Sequence, residues 1–194
     1  MLQSYWIISL FWIAYFGLHS ALATTKVKKF FLSRFGCIAS TYRLLYSLFS
    51  FLGLFAFVCY LIGLEHHLII QPTGFTALVG TITGLWGVLV LVLSFRAYSL
   101  REFIGLMSEE KTGLVITGIQ SKVRHPLYLG TILLVLGLWC LMPSIENAIS
   151  TILLIIYIQI GIVWEEKKLV NRFGSDYETY QKNVPKLLPK IRLL

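Results

Sequence analysis

The stretch Lys122-Val-Arg-His-Pro-Leu-Tyr-Leu-Gly130 marks the point where a polar loop meets a long apolar run. A cation, a titratable imidazole and a proline follow one another here, as Arg124-His125-Pro126. Proline is favoured at the first position of a helix, because the N–H that it lacks would be unpaired there anyway. The stretch therefore predicts that a helix begins at Pro126, with charge at its entry.

The composition around this stretch is that of an integral membrane protein. Of the 194 residues, 57% are hydrophobic and only 13% are charged, whereas a soluble domain carries about 25% charged residues. At this length we expect one domain over residues 1–194. It would comprise a three-span part over 1–112 and a hairpin with a tail over 113–194. We interpret the first apolar run as a span, because no basic residues precede it and no small-residue cleavage site follows.

Five apolar runs predict an all-α, polytopic helical bundle, since a bilayer core takes about 20 residues of helix. The fourth predicted span is short, and the few residues after it make spans four and five an antiparallel hairpin. Short helices are expected after spans three and five, over 98–107 and from Ser175 to about Lys182. Gly174 is the expected C-cap of the helical segment before it, and Ser175 is the expected N-cap of the helix that follows. The predicted spans are 2–23, 43–64, 75–95, 126–142 and 148–164.

The Lys and Arg residues predict the orientation, because cytoplasmic loops carry an excess of both. All 17 lie in or directly beside the first loop, the third loop and the tail. The N-terminus is therefore expected outside and the C-terminus in the cytoplasm. The net charge of +8 indicates topology and contact with anionic membrane lipids, and no nucleic-acid module is recognisable.

The remaining polar features outside the opening stretch do not form a metal site. Three scattered cysteines (Cys37, Cys59 and Cys140) lack ligand spacing, so neither a disulfide nor zinc is expected. The run Glu65-His66-His67 is interpreted as a solvated turn. His19 lies inside the first span, where it is either part of a functional site or a hydrogen-bond partner of a neighbouring helix. The spacing of Gly80, Gly84 and Gly87 predicts close helix packing.

Two clusters of polar residues near the cytoplasmic boundary are candidates for a binding or catalytic site. The helix beginning at Pro126 presents N–H groups and a positive dipole end, which bind anions, and Arg124 and His125 add donors. The alternative is that both side chains contact lipid headgroups. Glu165 and Glu166 end the fifth span, where acids are costly. Their alternative is pairing within the helix, such as Glu165 with Lys168.

Several linked motifs resemble the integral-membrane methyltransferases, a family that includes isoprenylcysteine carboxyl methyltransferases and phospholipid methyltransferases. The resemblance covers about 113–189. Looser similarities, such as Leu18-His19-Ser20 and Glu102-Phe103-Ile104-Gly105, favour the methanethiol S-methyltransferases within it. The motifs that carry the resemblance are Leu114-Val115-Ile116-Thr117-Gly118, Val123-Arg124-His125-Pro126-Leu127-Tyr128, Glu165-Glu166-x-x-Leu169, Phe173-Gly174-x-x-Tyr177-x-x-Tyr180 and Val184-Pro185-x-Leu187-x-Pro189.

The resemblance implies a methyl donor, S-adenosyl-L-methionine, bound on the cytoplasmic side of a bacterial inner membrane. One of Glu165 and Glu166 would hold its amine. The implied catalytic residues are His125, Glu166 and Arg124. The implied cofactor-binding residues are Leu114, Val115, Gly118, His125, Pro126, Tyr128, Glu165 and Glu166.

Two departures from the family pattern bear on the acceptor. Gln120 stands where the family often has Tyr, and 159–164 carries no cation, although isoprenylcysteine enzymes generally have an Arg there. A small or lipophilic thiol is therefore expected as the acceptor. A prenylcysteine or a phospholipid amine is the first alternative. A non-catalytic structural or transport-associated membrane protein is the second, although the inverted repeats of transporters are absent.

Overall fold

The structure is a computed structural model that describes residues 2–36, 38–96, 113–114 and 116–189. The regular elements in these ranges are helical, and a single bridge joins Leu68 and Ser144, so the predicted all-α class is confirmed. The predicted helix over 98–107, with Glu102, lies outside the described residues, as do Cys37 and Val115. The α-helices are α1 (Leu2–Leu22), α2 (Thr25–Phe35), α3 (Ala39–Ile62), α4 (Gly74–Arg96), α5 (Pro126–Leu141), α6 (Ile145–Phe173) and α7 (Ser175–Asn183), with a 3-10 turn at Gly118–Ser121.

Four of the helices, α1, α3, α4 and α6, are long and apolar enough to cross a membrane. The helix α5 is apolar but has only 16 residues. It is therefore about 24 Å long at 1.5 Å per residue, less than a typical hydrocarbon core of about 30 Å. Within the described ranges the structure thus shows four candidate spans and a shorter apolar helix, whereas the sequence predicted five spans. The orientation of the termini stays a prediction.

The chain divides into two compact units, and the first contains α1 to α3. Aromatic rings hold α1 against α3: Phe11 stacks on Phe57 with 3.8 Å between the ring centroids. Nearer the end of α1, His19 contacts the hydroxyl of Tyr46 at 2.9 Å and that of Ser50 at 3.0 Å. His19 thus makes the hydrogen bonds to a neighbouring helix that were one of its two interpretations.

The helix α2 was not predicted, since the sequence had been interpreted as a loop from Thr24 to Tyr42. Thr24 caps it by accepting a hydrogen bond from Val27 N–H at 3.3 Å. Gly36 ends it at φ +61°, a left-handed conformation that glycine adopts at little cost. The Phe31 ring packs at 5.6 Å from Tyr42 of α3. The lysines of this segment led to its interpretation as a loop, although the N-cap Thr24 and the C-cap Gly36 are both present in the sequence.

In the second unit, glycines bring α4 and α5 into backbone contact. A Cβ added at Gly87 would lie 2.8 Å from Gly130 O, and one added at Gly137 would lie 2.5 Å from Gly84 N. A Cβ at Gly80 would likewise meet Gly137 O at 2.8 Å. The predicted close packing through the α4 glycines is therefore confirmed, and α5 supplies matching glycines that the sequence analysis had not noted.

The helices α5 and α6 form the predicted hairpin. Ser144 caps α6 by accepting a hydrogen bond from Asn147 N–H at 3.3 Å, and the Asn147 amide donates to Met142 O at 3.0 Å. The helix α6 therefore begins at Ile145, three residues before the predicted span. Ile69 N–H donates to Pro143 O at 2.8 Å, which ties the connection before α4 to the tip of this hairpin.

The helix α6 is longer than predicted at its other end as well. It continues past the predicted limit, residue 164, to Phe173, which makes it 29 residues long. Gly174 then ends it at φ +55°, with its N–H donating to Val170 O at 2.8 Å, as the sequence predicted. Gly174 also precedes α7, and Ser175 is the first helical residue. The prediction that Ser175 is the N-cap was therefore wrong.

Candidate functional site

The carboxylate of Glu166 is the centre of a hydrogen-bonded cluster that joins α5, α6 and α7. Its Oε1 accepts from Arg124 Nε at 2.9 Å and from Arg124 Nη2 at 2.7 Å. The same oxygen lies 3.0 Å from His125 Nε2. Its Oε2 accepts from the Gln181 amide at 3.2 Å. The acidic pair and the Arg-His stretch, placed together only by topology in the sequence analysis, therefore meet at Glu166.

Arg124 also holds the tail. Its Nη1 donates to Gln181 O at 3.0 Å and to Val184 O. Its backbone N–H donates to Pro185 O at 2.9 Å, and the next N–H, of His125, donates to Lys186 O at 3.1 Å. The donors that were expected to bind an anion at the start of α5 are thus used to bind the chain's own tail.

His125 lies between the two acids of the pair. Its Nε2 faces Glu166, while its Nδ1 lies 3.8 Å from Glu165 Oε2. Because a carboxylate only accepts hydrogen bonds, the contact at 3.0 Å assigns the Nε2 proton to the bond with Glu166. In the neutral ring, Nδ1 then keeps its lone pair. The Nδ1 of the neutral ring therefore carries its lone pair on the side of Glu165.

Tyr128 extends this arrangement along α5. Its ring is stacked on that of His125, with 5.6 Å between centroids and 27° between planes. Its hydroxyl reaches α6, since a Cβ added at Gly161 would lie 4.0 Å from that oxygen. Pro126 is buried as the first residue of α5, as predicted. These two residues shape the α5 side of the cluster.

Tyr177 is a member of the neighbourhood that was not singled out as a site residue. It is 1% exposed, and the structure records no hydrogen bond for its hydroxyl. Burial raises the pKa of the Tyr177 phenol above its ordinary value, and the charge of Glu166 raises it further. Tyr177 is therefore a neutral, buried phenol beside a charged cluster. Its ring lies 5.8 Å from that of Tyr180, whose hydroxyl donates to Gln120 O at 2.6 Å.

An open groove of about 440 Å³ adjoins the cluster on one face of α6. Its volume lies within the range of small-molecule sites, about 300–1,000 Å³. Five of its residues recur at helical spacing on α6, and the last comes from α7. They are Val163, Glu166, Lys167, Val170, Asn171 and Gln181. Sequence analysis selected only Glu166 from this set, because it ended the fifth span at residue 164 and did not align the residues that follow on one helix face.

The other predicted site residues lie apart from the groove. Leu114 is partly buried, and Gly118 is exposed at φ +63° where the 3-10 turn begins. Glu165 lines no part of the groove, nor do His125 and Tyr128. The alternative interpretation, a pairing of Glu165 with Lys168, is not what the structure shows, since the acids of the pair contact Arg124 and His125. Within the described ranges, no three His, Cys, Asp or Glu side chains lie close enough to hold a metal ion.

Comparison with known protein families shows the family of this chain. The model of the phospholipid methyltransferase family matches residues 75–176, just over half of the 194 residues. The chain belongs to this family. The matched region contains α5, α6 and nearly all of α4, and with them the Arg124–Glu166 pair and His125. Most of α7 and the tail that follows it lie beyond the matched region.

Individual relatives give more specific similarities. The chain is 32% identical over 115 residues to a methanethiol S-methyltransferase of Pseudomonas deceptionensis, which covers 55% of this chain and 43% of that protein. It is 39% identical over 79 residues to a protein-S-isoprenylcysteine O-methyltransferase of Schizosaccharomyces pombe, covering 40% and 34%. A nickel-cobalt-cadmium resistance protein of Alcaligenes xylosoxydans xylosoxydans is 27% identical, covering 45% and 41%.

The chain spans less than half the length of these relatives, between 34% and 43%. No solved structure matches it significantly. The relatives therefore support the family and the membrane setting, and the activity has to be argued from the site.

Proposed function

We propose that the protein is a membrane methyltransferase that takes a methyl group from S-adenosylmethionine and places it on the sulfur of a small or lipophilic thiol. The observation that carries the proposal is the Glu166 cluster, in which the motif residues of α5 and α6 meet beside a groove of ligand size. The family match and the names of the relatives support the reaction class.

The proposal includes the topology expected from the sequence. Five spans, with α5 as the fourth, would place the cluster, α7 and the tail on the cytoplasmic side of a bacterial inner membrane. The excess of Lys and Arg on that side supports this orientation. A water-soluble methyl donor would then reach the groove directly, while a lipophilic acceptor would approach from the membrane.

The groups that line the groove suit the amine end of S-adenosylmethionine, and this supports the proposal. Glu166 Oε1 already accepts three hydrogen bonds, but Oε2 accepts only that of Gln181. A carboxylate has about four lone-pair sites on its two oxygens, so Oε2, which has a single donor, is the oxygen suited to the amine of the methyl donor. We therefore assign the amine to Glu166 and not to Glu165, which lies outside the groove. Val163 and Val170 offer apolar contacts in the same groove.

In the reaction the sulfonium–methyl bond of the donor breaks, a carbon–sulfur bond forms at the acceptor, and the thiol proton is released. The chain's part is to position the reactants and to take the proton. His125 Nδ1 is the proposed acceptor of that proton, because Nε2–H is already donated to Glu166. Glu165, 3.8 Å away, would stabilise the imidazolium. We assign Arg124 the role of a positioning residue, since its donors hold Glu166 and the tail.

A thiol acceptor is supported by the absence of a cation over 159–164, where a carboxylate acceptor would need one. The second candidate is a lipid acceptor, a prenylcysteine or a phospholipid amine. The 39% identity to the isoprenylcysteine enzyme favours it. Both candidates use the same donor site and differ only in the group that receives the methyl.

The donor site is tested by isothermal titration of the purified protein with S-adenosylhomocysteine. We expect binding to the wild type, a large loss in Glu166→Gln and a small one in Glu165→Gln. Isolated membranes with a methyl-labelled donor are then offered methanethiol, a prenylcysteine or phosphatidylethanolamine. Label on methanethiol supports the thiol, and label on a lipid supports the second candidate. If the protein neither binds S-adenosylhomocysteine nor transfers label, the proposal is wrong. The alternative of a non-catalytic structural or transport-associated membrane protein then holds.

A further inference from the structure

We propose that Lys167 binds the carboxylate of the methyl donor's amino-acid end, inside the groove on α6. The inference rests on the proposed function and assigns a residue that neither the motifs nor the comparisons select. It is based on a difference between two cations of the site. Arg124 is hydrogen-bonded within the protein, whereas Lys167 lines the groove.

Arg124, the cation expected at the anion-binding start of α5, already has partners within the protein. Arg124 donates to Glu166 from Nε and Nη2, and to two backbone carbonyls of the tail from Nη1. The two N–H groups before α5, those of Arg124 and His125, donate to Pro185 O and Lys186 O. A carboxylate arriving at this point would have to displace the tail, so it needs a cation elsewhere.

Lys167 supplies that cation. It lines the groove next to Glu166, and within the described part of the chain it forms no ion pair. An ammonium group is a point charge with three donors, suited to a carboxylate without fixed orientation. Asn171 lies one helical turn further on, and Gln181 faces it from α7; both line the same groove and carry amide N–H donors.

The charges in the groove then match those of an α-amino acid. Glu166 presents an acceptor for the amine, and Lys167 presents a donor for the carboxylate. Since the charge of Glu166 is already balanced by Arg124 at 2.7 Å, Lys167 leaves the groove with a surplus positive charge. This surplus favours a ligand that carries a carboxylate next to its amine. The methionine part of the methyl donor has this arrangement.

The sequence contains its own control. Lys168 has the same charge and is also exposed, but it does not line the groove, because a rotation of about 100° per residue takes it beyond the arc of α6 that faces the groove. Neutralising Lys168 changes the net charge as much as neutralising Lys167 does. Any effect of overall charge on an anionic group should therefore appear equally in both variants.

The experiment is a titration of the full chain, in detergent or nanodiscs, with two ligands. One is S-adenosylhomocysteine, and the other is its decarboxylated analogue, which keeps the amine and the adenosine. We expect the wild type to prefer the first ligand roughly 10- to 100-fold, the range for a hydrogen bond to a charged group. Lys167→Gln should bind both ligands alike, Lys168→Gln should keep the wild-type preference, and Lys167→Arg should restore most of it.

The outcomes separate this inference from the proposed function. If S-adenosylhomocysteine binds and Lys167→Gln keeps the full preference for the carboxylate, the inference is wrong and the proposed function stands. An equal loss in Lys168→Gln also overturns it, because the effect would then be one of net charge. If S-adenosylhomocysteine does not bind the wild type at all, the proposed function and the inference fail together.

Discussion

Arg124 and Glu166, 42 positions apart in the sequence, are joined by two hydrogen bonds of 2.7 and 2.9 Å to one carboxylate oxygen. Their side chains are only 9% and 14% exposed. A nearly buried pair of this kind contributes little net stability as a whole, but removing one partner leaves an uncompensated charge. The pair is therefore a device that holds α6 in place relative to the start of α5.

Replacing Arg124 by Gln should destabilise the protein by about 3 kcal/mol, the lower end of the cost of breaking a buried ion pair. The tail should detach as well, because Arg124 also donates to Gln181 O and Val184 O. Thermal unfolding in detergent measures the first effect, and tryptic cleavage after Lys182 or Lys186 the second. Arg172→Gln is the control, since Arg172 is exposed and contacts only the Phe173 ring at 5.0 Å. Equal shifts in the two variants would contradict the assignment.

The glycine contact between α4 and α5 predicts opposite effects for two alanines. Gly137→Ala should cost about 1–3 kcal/mol by overpacking, because its Cβ would lie 2.5 Å from the Gly84 backbone. Gly84→Ala should be neutral or stabilising, since its own Cβ would meet nothing within 4 Å and alanine favours helix. Melting temperatures of the two variants decide it. A Gly84→Ala variant as unstable as Gly137→Ala would show that the helices do not approach at these atoms.

Tyr177 predicts a loss of stability at high pH. Burial raises the pKa of its phenol above the ordinary value of about 10, so the unfolded chain releases this proton before the folded one does. The contribution is complete below about pH 10 and is lost as the pH rises towards the folded pKa. Denaturation midpoints between pH 9 and 11 should therefore fall more steeply in the wild type than in Tyr177→Phe. Parallel curves would contradict the burial of this hydroxyl.

The proton-accepting role proposed for His125 predicts that its loss affects methyl transfer and leaves ligand binding unchanged. His125→Gln should slow methyl transfer to a thiol by about 100-fold or more, the scale of general-base catalysis, while Gln keeps a donor for Glu166. The defect should shrink as the pH rises, because more of the thiol is then ionised without help. Initial rates from pH 6.5 to 9.5, with S-adenosylhomocysteine affinity as the control, measure both. A defect independent of pH would assign His125 a structural role only.

Local signals in the sequence were sufficient for much of this fold. Pro126 begins α5 and Gly174 ends α6 as predicted, because a missing N–H and a left-handed backbone act within a few residues. The α5–α6 hairpin followed from the short connection between two apolar runs. The same local reasoning missed α2, where the capping residues Thr24 and Gly36 were present but were masked by the surrounding lysines.

The sequence by itself determined the helical membrane class, the family and the motif residues Arg124, His125 and Glu166, since hydrophobicity, caps and linked motifs are properties of the chain read in order. Only the tertiary structure decided how those residues are used. Arg124 holds both Glu166 and the tail, Glu166 faces the groove, and Lys167 lines the groove beside it. These roles depend on contacts between residues 42 to 60 positions apart. Such contacts exist only after α6 has extended to Phe173 and α7 has folded back against it.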